Sequence, residues 1–151
     1  MIQLGKILVP IDFSDSSEKA ISYGLELARA FSARLLLAHV MELPFAPVPI
    51  GMGTVPPVMV DDIKPEVLER LKSFGTAATG VEVEYLLREG TPFVEIIQMA
   101  RDAAADLIVM PTHGRSGLSH VLIGSTAERV VRKAPCPVLV VRDAEREFIL
   151  P

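Results

Sequence analysis

Two short stretches of the chain concentrate residue types that handle hydroxyls and anions. The first is Pro10-Ile11-Asp12-Phe13-Ser14, which ends an apolar run. Asp12 is a short carboxylate, able to accept hydrogen bonds from a base or a ribose or to reach a metal ion. Asp12 and Ser14 are also suited simply to capping a following helix. The second stretch is Pro111-Thr112-His113-Gly114-Arg115-Ser116-Gly117, which continues from Leu118 to Ile123 and enters Gly124-Ser125-Thr126. Glycines let main-chain N–H groups approach a phosphate closely, and the Ser and Thr hydroxyls add donors. Arg115 adds a charge, and a helix start adds oriented N–H groups at the positive end of a dipole. This coincidence favours an anion site over a turn that only carries the chain from strand to helix.

Other chemistries lack their residues. No Gly-rich loop ends in Gly-Lys-Ser/Thr, which excludes a Walker-type phosphate loop. No Gly-x-Gly-x-x-Gly follows the first apolar run, which argues against a nicotinamide dinucleotide. His39, His113 and His120 have no metal-like spacing, and His39, late in an apolar run, reads as a satisfied core histidine. Gly-x-Ser-x-Gly is absent, so no nucleophile elbow marks a hydrolase. Cys136 is the one cysteine; it lies between two prolines and reads as buried and inert. With no general base, nucleophile or metal cluster standing out, the residues favour a binding protein over an enzyme.

The elements that must position the two stretches are legible as an alternation. Apolar runs at Lys6–Pro10, Arg34–Val40, Asp106–Met110 and Pro137–Val141 predict strands covered on both faces. A fifth run, Val81–Leu87, sets Val81, Val83 and Tyr85 against Glu82 and Glu84, the pattern of a half-exposed strand at a sheet edge. Helical spacing links Ala20, Ile21, Gly24, Leu25, Leu27, Ala28 and Phe31, after a cap-rich Ser14–Ser17 cluster. It recurs at Ile63, Val67, Leu68, Leu71 and Phe74. A third helix opens at Thr91-Pro92, with Phe93, Ile96, Ile97 and Ala100 inward. The fourth runs from Ser125 to Ala134, with Ala127, Val130 and Val131 inward. The order β-α-β-α-β-α-β-α-β predicts an α/β fold with a parallel sheet and right-handed crossovers. In such sheets ligands settle beyond the carboxyl ends of strands where the winding reverses. The loops after the first and fourth strands become one site if those strands are neighbours.

Length and charge set outer bounds. The 151 residues suit a single domain, and a net charge of −4 with 50% hydrophobic residues is a poor balance for gripping nucleic acid or an acidic membrane. No signal peptide is read at Met1–Lys6, and one cysteine fits a reducing, cytoplasmic setting. From Leu43 to Val60 there are eighteen residues without a charge, but five prolines and two glycines make this an apolar loop rather than a spanning helix. Leaving the second strand near the proposed site, it is expected to act as a lid or docking surface, or else to pack permanently over the second helix.

Together these segments resemble the universal stress protein family. The likeness runs from Lys6-Ile7-Leu8-Val9-Pro10-Ile11-Asp12-Phe13-Ser14 through Ala38-His39-Val40 and Gly90-Thr91-Pro92 to Asp106-Leu107-Ile108-Val109-Met110. It continues in Thr112–Gly117, Gly124–Val130 and Pro135–Val141. The resemblance implies an open five-stranded parallel sheet in the order 3-2-1-4-5 with helices on both faces, of the adenine nucleotide alpha hydrolase-like class. Members that bind ATP carry Gly-x-x-Gly, nine residues, then Gly-Ser/Thr. Here nine residues separate Gly114 from Gly124, and Ser125 follows, but the first glycine of the pattern is replaced by Pro111. Proline has no N–H to offer a phosphate, which leaves Thr112, Gly114, Arg115, Ser116 and Ser125 as donors. By the same carry-over Asp12 and Val40 frame an adenosine, with Pro10 beside them. The implied function is a stress-response regulatory module that binds ATP or a related adenine nucleotide, with Mg2+ brought by the nucleotide. The alternative is a dimeric interaction protein of the same fold that binds no nucleotide, with a protein partner the sequence does not name. In either case the apolar last strand, Val138–Val141, is an unguarded edge and predicts a homodimer through it, aided by Phe148-Ile149-Leu150.

Overall fold

The computed structural model describes residues 1–42, 60–113 and 123–142. Its elements are β1 (Lys6–Pro10), α1 (Asp15–Phe31), β2 (Arg34–Met41), α2 (Val60–Phe74), β3 (Val83–Glu89), α3 (Pro92–Asp102), β4 (Leu107–Pro111), α4 (Ser125–Lys133) and β5 (Val138–Val141). The strands pair in parallel in the order β3-β2-β1-β4-β5, so β1 and β4 are neighbours and the winding reverses between them.

Strand side chains alternate between faces, and the two faces have separate cores. Ile7, Val9, Leu35, Leu37 and Val109 point to one side, where Ala20, Ile21, Leu25 and Ala28 of α1 and Leu71 of α2 cover them. Leu8, Leu36, Ala38, Ile108 and Met110 point to the other, against Ile96, Met99 and Ala100 of α3 and Ala127 and Val130 of α4. The middle strands are therefore buried on both faces beyond their first residues, Lys6 of β1, Arg34 of β2 and Leu107 of β4, while β3 leaves Glu84 exposed and the rest of its residues half-buried, as its alternating sequence requires. Gly24 lets α1 lie close on β1: a Cβ there would stand 2.7 Å from Val9 Cγ2. That close approach fixes where the first turn of α1 meets the end of β1.

Several expectations shift in detail. β3 starts at Val83 rather than Val81, and α2 takes in Val60, the last residue of the expected loop. Lys64 ties the start of α2 to the end of β3, with its ammonium 2.8 Å from Asp61 Oδ1 and 2.5 Å from Glu89 Oε1. Val131, expected inward, is 47% exposed, and so are Phe31 at 42% and Ile63 at 39%. Val131 shares a stripe with Ala127, but α4 lies over the β4–β5 end of the sheet, where no further strand underlies that flank. Cys136 is half-buried rather than buried; burial, and secondarily the charge of Asp106, pushes its thiol above the ordinary value. Among the described residues no helix is long and apolar enough to cross a membrane. The remainder of the Leu43–Val60 loop and the Phe148–Leu150 tail lie outside the described residues.

Candidate functional site

The seam between β1 and β4 opens because of two prolines. Successive strand residues turn their main-chain groups to opposite neighbours. Ile11 N–H donates to Ala38 O on β2 at 2.8 Å, so Pro10 turns toward β4. Thr112 N–H donates to Val141 O on β5 at 2.9 Å, so Pro111 turns toward β1. Neither proline has an N–H to give. The β1–β4 ladder is accordingly in register only at Ile7↔Leu107 and Leu8↔Ile108, while β1 pairs with β2 along five positions. A crevice begins where the rungs stop. The donor that Pro111 lacks is thus one that would have faced this crevice.

On the β1 side, the corner into α1 is built from side-chain hydrogen bonds. Asp12 Oδ1 accepts from Ser14 N–H at 3.0 Å, from Ser14 Oγ–H, and from Ser17 Oγ–H at 2.9 Å. Ser17 Oγ in turn accepts from Asp12 N–H at 3.2 Å, and Ser17 is completely buried. Ser14 occupies the N-cap position by its backbone, yet its side chain makes no cap hydrogen bond; it serves Asp12 instead. The capping reading of this stretch holds in part: Ser14 is the cap residue by place, but neither its side chain nor Asp12 caps the helix. Between them Phe13 has φ of 64°, a left-handed backbone uncommon for a bulky residue. Its ring lies 4.2 Å from the ring of His39 and 5.6 Å from that of Phe74, with the Arg70 guanidinium 4.4 Å above it. Buried His39 faces the Ile11 carbonyl with Nδ1 at 2.8 Å. Since a carbonyl only accepts, Nδ1 carries the proton.

On the β4 side, the corner into α4 is closed by a main-chain bond among its described residues. Gly124 N–H donates to Thr112 O at 2.7 Å, so this glycine N–H is committed to the loop. A Cβ on Gly124 would stand 3.1 Å from that same carbonyl, so the residue is glycine for space; its φ of −67° is ordinary. Glu128 N–H closes the first helical bond, to Gly124 O at 2.9 Å. The N–H groups of Ser125, Thr126 and Ala127 precede that bond and have no intrahelical acceptor. The N-cap glycine gives them no side-chain cap either; a helix start of this kind is the positive end of the helix dipole.

The two corners face one cleft of about 380 Å³. Its lining brings together Pro10, Asp12, Val40, Pro111, Thr112, His113, Gly124, Ser125 and Thr126. Gly114, Arg115, Ser116 and Gly117, the remaining candidates of the same loop, lie outside the described residues, as does His120. The lining also includes residues that the sequence reading passed over: Ile11, His39, Glu42, Pro92, Ile96, Met110 and Ala127. Glu42 was within reach, because it immediately follows the end of β2 at Met41, two residues beyond Val40. Pro92 and Ile96 carried no such signal; they enter because α3 covers the end of the sheet. Apolar groups thus form the walls, Asp12 and Glu42 are the acidic groups among the described lining, and the α4 start is its positive end. Among the described residues no group of three His, Cys, Asp or Glu could hold a metal ion.

A parallel α/β sheet in this order, with a mixed apolar and polar cleft at its switch point, defines a class of ligand-binding folds. The family model described as "Universal stress protein family" matches residues 4–142, and the chain belongs to that family. It is 36% identical over 144 residues to universal stress protein MJ0531 of Methanocaldococcus jannaschii, covering 94% of this chain and 84% of that one. A universal stress protein solved in complex with cAMP superposes with a TM-score of 0.69 at 23% identity, over 95% of this chain and 100% of that one. A second, from Archaeoglobus fulgidus in complex with dAMP, gives 0.62 at 23% identity, over 93% and 98%. At such identities the likeness to these two structures is one of fold.

Proposed function

We propose that this protein is a stress-response regulatory module that binds ATP or a related adenine nucleotide between the carboxyl ends of β1 and β4. The carrying observation is the convergence of nine sequence-chosen residues, from Pro10 to Thr126, on one cleft whose two ends differ in chemistry. An ionised carboxylate accepts hydrogen bonds and repels phosphate, so the sugar hydroxyls belong at Asp12. The N–H groups at the start of α4, which have no intrahelical acceptor, favour the phosphates. Val40, Ile96 and Met110 supply apolar surface for the base. Proteins of this fold solved with cAMP and with dAMP support an adenine nucleotide. Any Mg2+ would arrive with the phosphates. Calorimetry with ATP, AMP and cAMP tests the reading: binding below millimolar concentration is expected, and no binding of any of the three refutes it.

A second reading is favoured by one observation, the donors missing at Pro10 and Pro111: a dimeric interaction protein that takes no nucleotide. In both readings the two copies pair through β5. Leu139 of that strand is 37% exposed and Val131 of the adjacent helix 47%, an apolar edge that a second β5 would cover. Sedimentation is expected to give a dimer for the wild type and a monomer for Leu139→Asp; a monomeric wild type at micromolar concentration refutes the pairing.

A further inference from the structure

We infer that Ser17, which no nucleotide would touch, is the positioning residue that sets the Asp12 carboxylate for a ligand's hydroxyls. This rests on the nucleotide reading and names the group that makes its sugar end selective. A carboxylate on a strand tip ordinarily swings about two side-chain torsions. Here its Oδ1 receives three hydrogen bonds, two from Ser14 and one from Ser17. The Ser17 bond differs from the other two in what holds it. Ser14 belongs to the same turn as Asp12 and would move with it. Ser17 lies inside α1, is completely buried, and is fixed to the sheet by the close contact of α1 on β1 at Gly24.

Ser17 also acts in both directions. Its Oγ donates to the carboxylate and accepts from the Asp12 main-chain N–H, so it ties the backbone and side chain of one residue to the same point. That double tie sits next to the left-handed Phe13, whose conformation is unfavourable for its residue type and has to be held from both sides. The Phe13 ring is held by His39, Phe74 and Arg70; its backbone is held by the bonds that Asp12 makes. A carboxylate oriented in this way presents acceptors in a constant direction to the cleft, which suits hydroxyl donors of a ribose and discriminates against a sugar lacking one of them.

The test is a double-mutant cycle read with AMP and 2′-deoxy-AMP by calorimetry, on the wild type, Ser17→Ala, Asp12→Ala and the double variant. The wild type is expected to prefer AMP. Ser17→Ala should weaken AMP binding about tenfold, the scale of one hydrogen bond to a charged group, and narrow the preference over the deoxy ligand. In the Asp12→Ala background the same substitution should have less than about a twofold effect, because Ser17 acts through Asp12. Additive losses, or an unchanged ratio of the two ligands in Ser17→Ala, overturn the inference. Ser14→Ala, which keeps the Ser14 N–H bond, is expected to cause a smaller loss in the same direction and serves if Ser17→Ala does not fold. Amide exchange without ligand separates the two layers. Faster exchange at the Asp12 and Ser14 amides in Ser17→Ala supports the positioning role, and unchanged exchange overturns it. A wild type that binds neither nucleotide, with those amides protected, refutes the nucleotide reading and the ligand half of this inference, and leaves the tie itself standing.

Discussion

The two loop-to-helix corners of the cleft do the same topological job by opposite means. Each carries the chain from the end of a central strand into a helix, and the strands are neighbours in the sheet. At the β1 corner, side chains satisfy one another: Asp12 gathers the donors of Ser14 and Ser17, and the carboxylate is held still. At the β4 corner, a short bond joins main-chain groups, Gly124 N–H and Thr112 O, and the helix behind it begins without a side-chain cap from its N-cap residue. The first corner is finished in the absence of ligand. The second has three helical N–H groups with no intrahelical acceptor. On the proposed nucleotide reading the difference divides the roles, since a fixed carboxylate suits a neutral donor and a helix start suits an anion. On that reading the absent Pro111 N–H matters because it reduces the donors at the corner proposed to supply them.

Substitutions at the β4 corner should have the largest effects. Gly124→Val is expected to abolish nucleotide binding in calorimetry. Its Cβ alone would press on Thr112 O at 3.1 Å, and the added methyls would part the loop from the helix start. Next, Pro111→Gly should tighten ATP binding about tenfold or more, since a hydrogen bond to a charged phosphate is worth roughly 1.5–3 kcal/mol. Pro111→Ala restores the same N–H with less backbone freedom, and should share the gain. If both leave affinity unchanged, the donors facing the crevice are not what holds the phosphates.

A change to the framework should act on stability more than on specificity. Gly24→Ala forces a methyl to within 2.7 Å of Val9 Cγ2 and is expected to cost about 1–3 kcal/mol, as overpacked cores do, read as a lower Tm. The smallest effect belongs far from both corners. Arg88 lies 2.6 Å from Asp102 and, with help from Gln98, holds the Asp102 carboxyl below its ordinary value of 3.8. A depressed carboxyl stabilises the fold above its unfolded value and loses that contribution as pH falls through the folded one. Arg88→Ala should therefore move the acid-unfolding midpoint slightly upward and leave nucleotide affinity alone. A change in affinity would mean that the cleft is coupled to the β3 edge of the sheet.

Much of this contrast was legible in the residues. Apolar strands against one alternating strand gave the parallel sheet and its edge, because burial on one face or on both leaves different periodicities. The cleft residues could be chosen because a switch point turns sequence neighbours of two strands into spatial neighbours. What escaped has a physical reason in each case. Ser14 and Asp12 read equally well as cap or as acceptor, and only the direction of their hydrogen bonds separates the two. Ser17 looked like one more cap-rich serine, since its burial depends on how closely α1 approaches β1. Gly124 suggested close approach by a ligand, and its contact with the Thr112 carbonyl, which joins residues twelve apart, could not be read from the sequence. Val131 fitted the helical stripe, but a stripe does not reveal where the sheet beneath it ends.

The most direct test of the central claim is an amide spectrum of the wild type titrated with AMP and with ATP. Both ligands are expected to shift the amides of Thr112, Ser125, Thr126 and Ala127 along with that of Asp12. The extra phosphates of ATP should enlarge the shifts at the start of α4 while leaving Asp12 nearly the same. Shifts absent from both corners at millimolar ligand, or equal changes at the two corners on going from AMP to ATP, would contradict it.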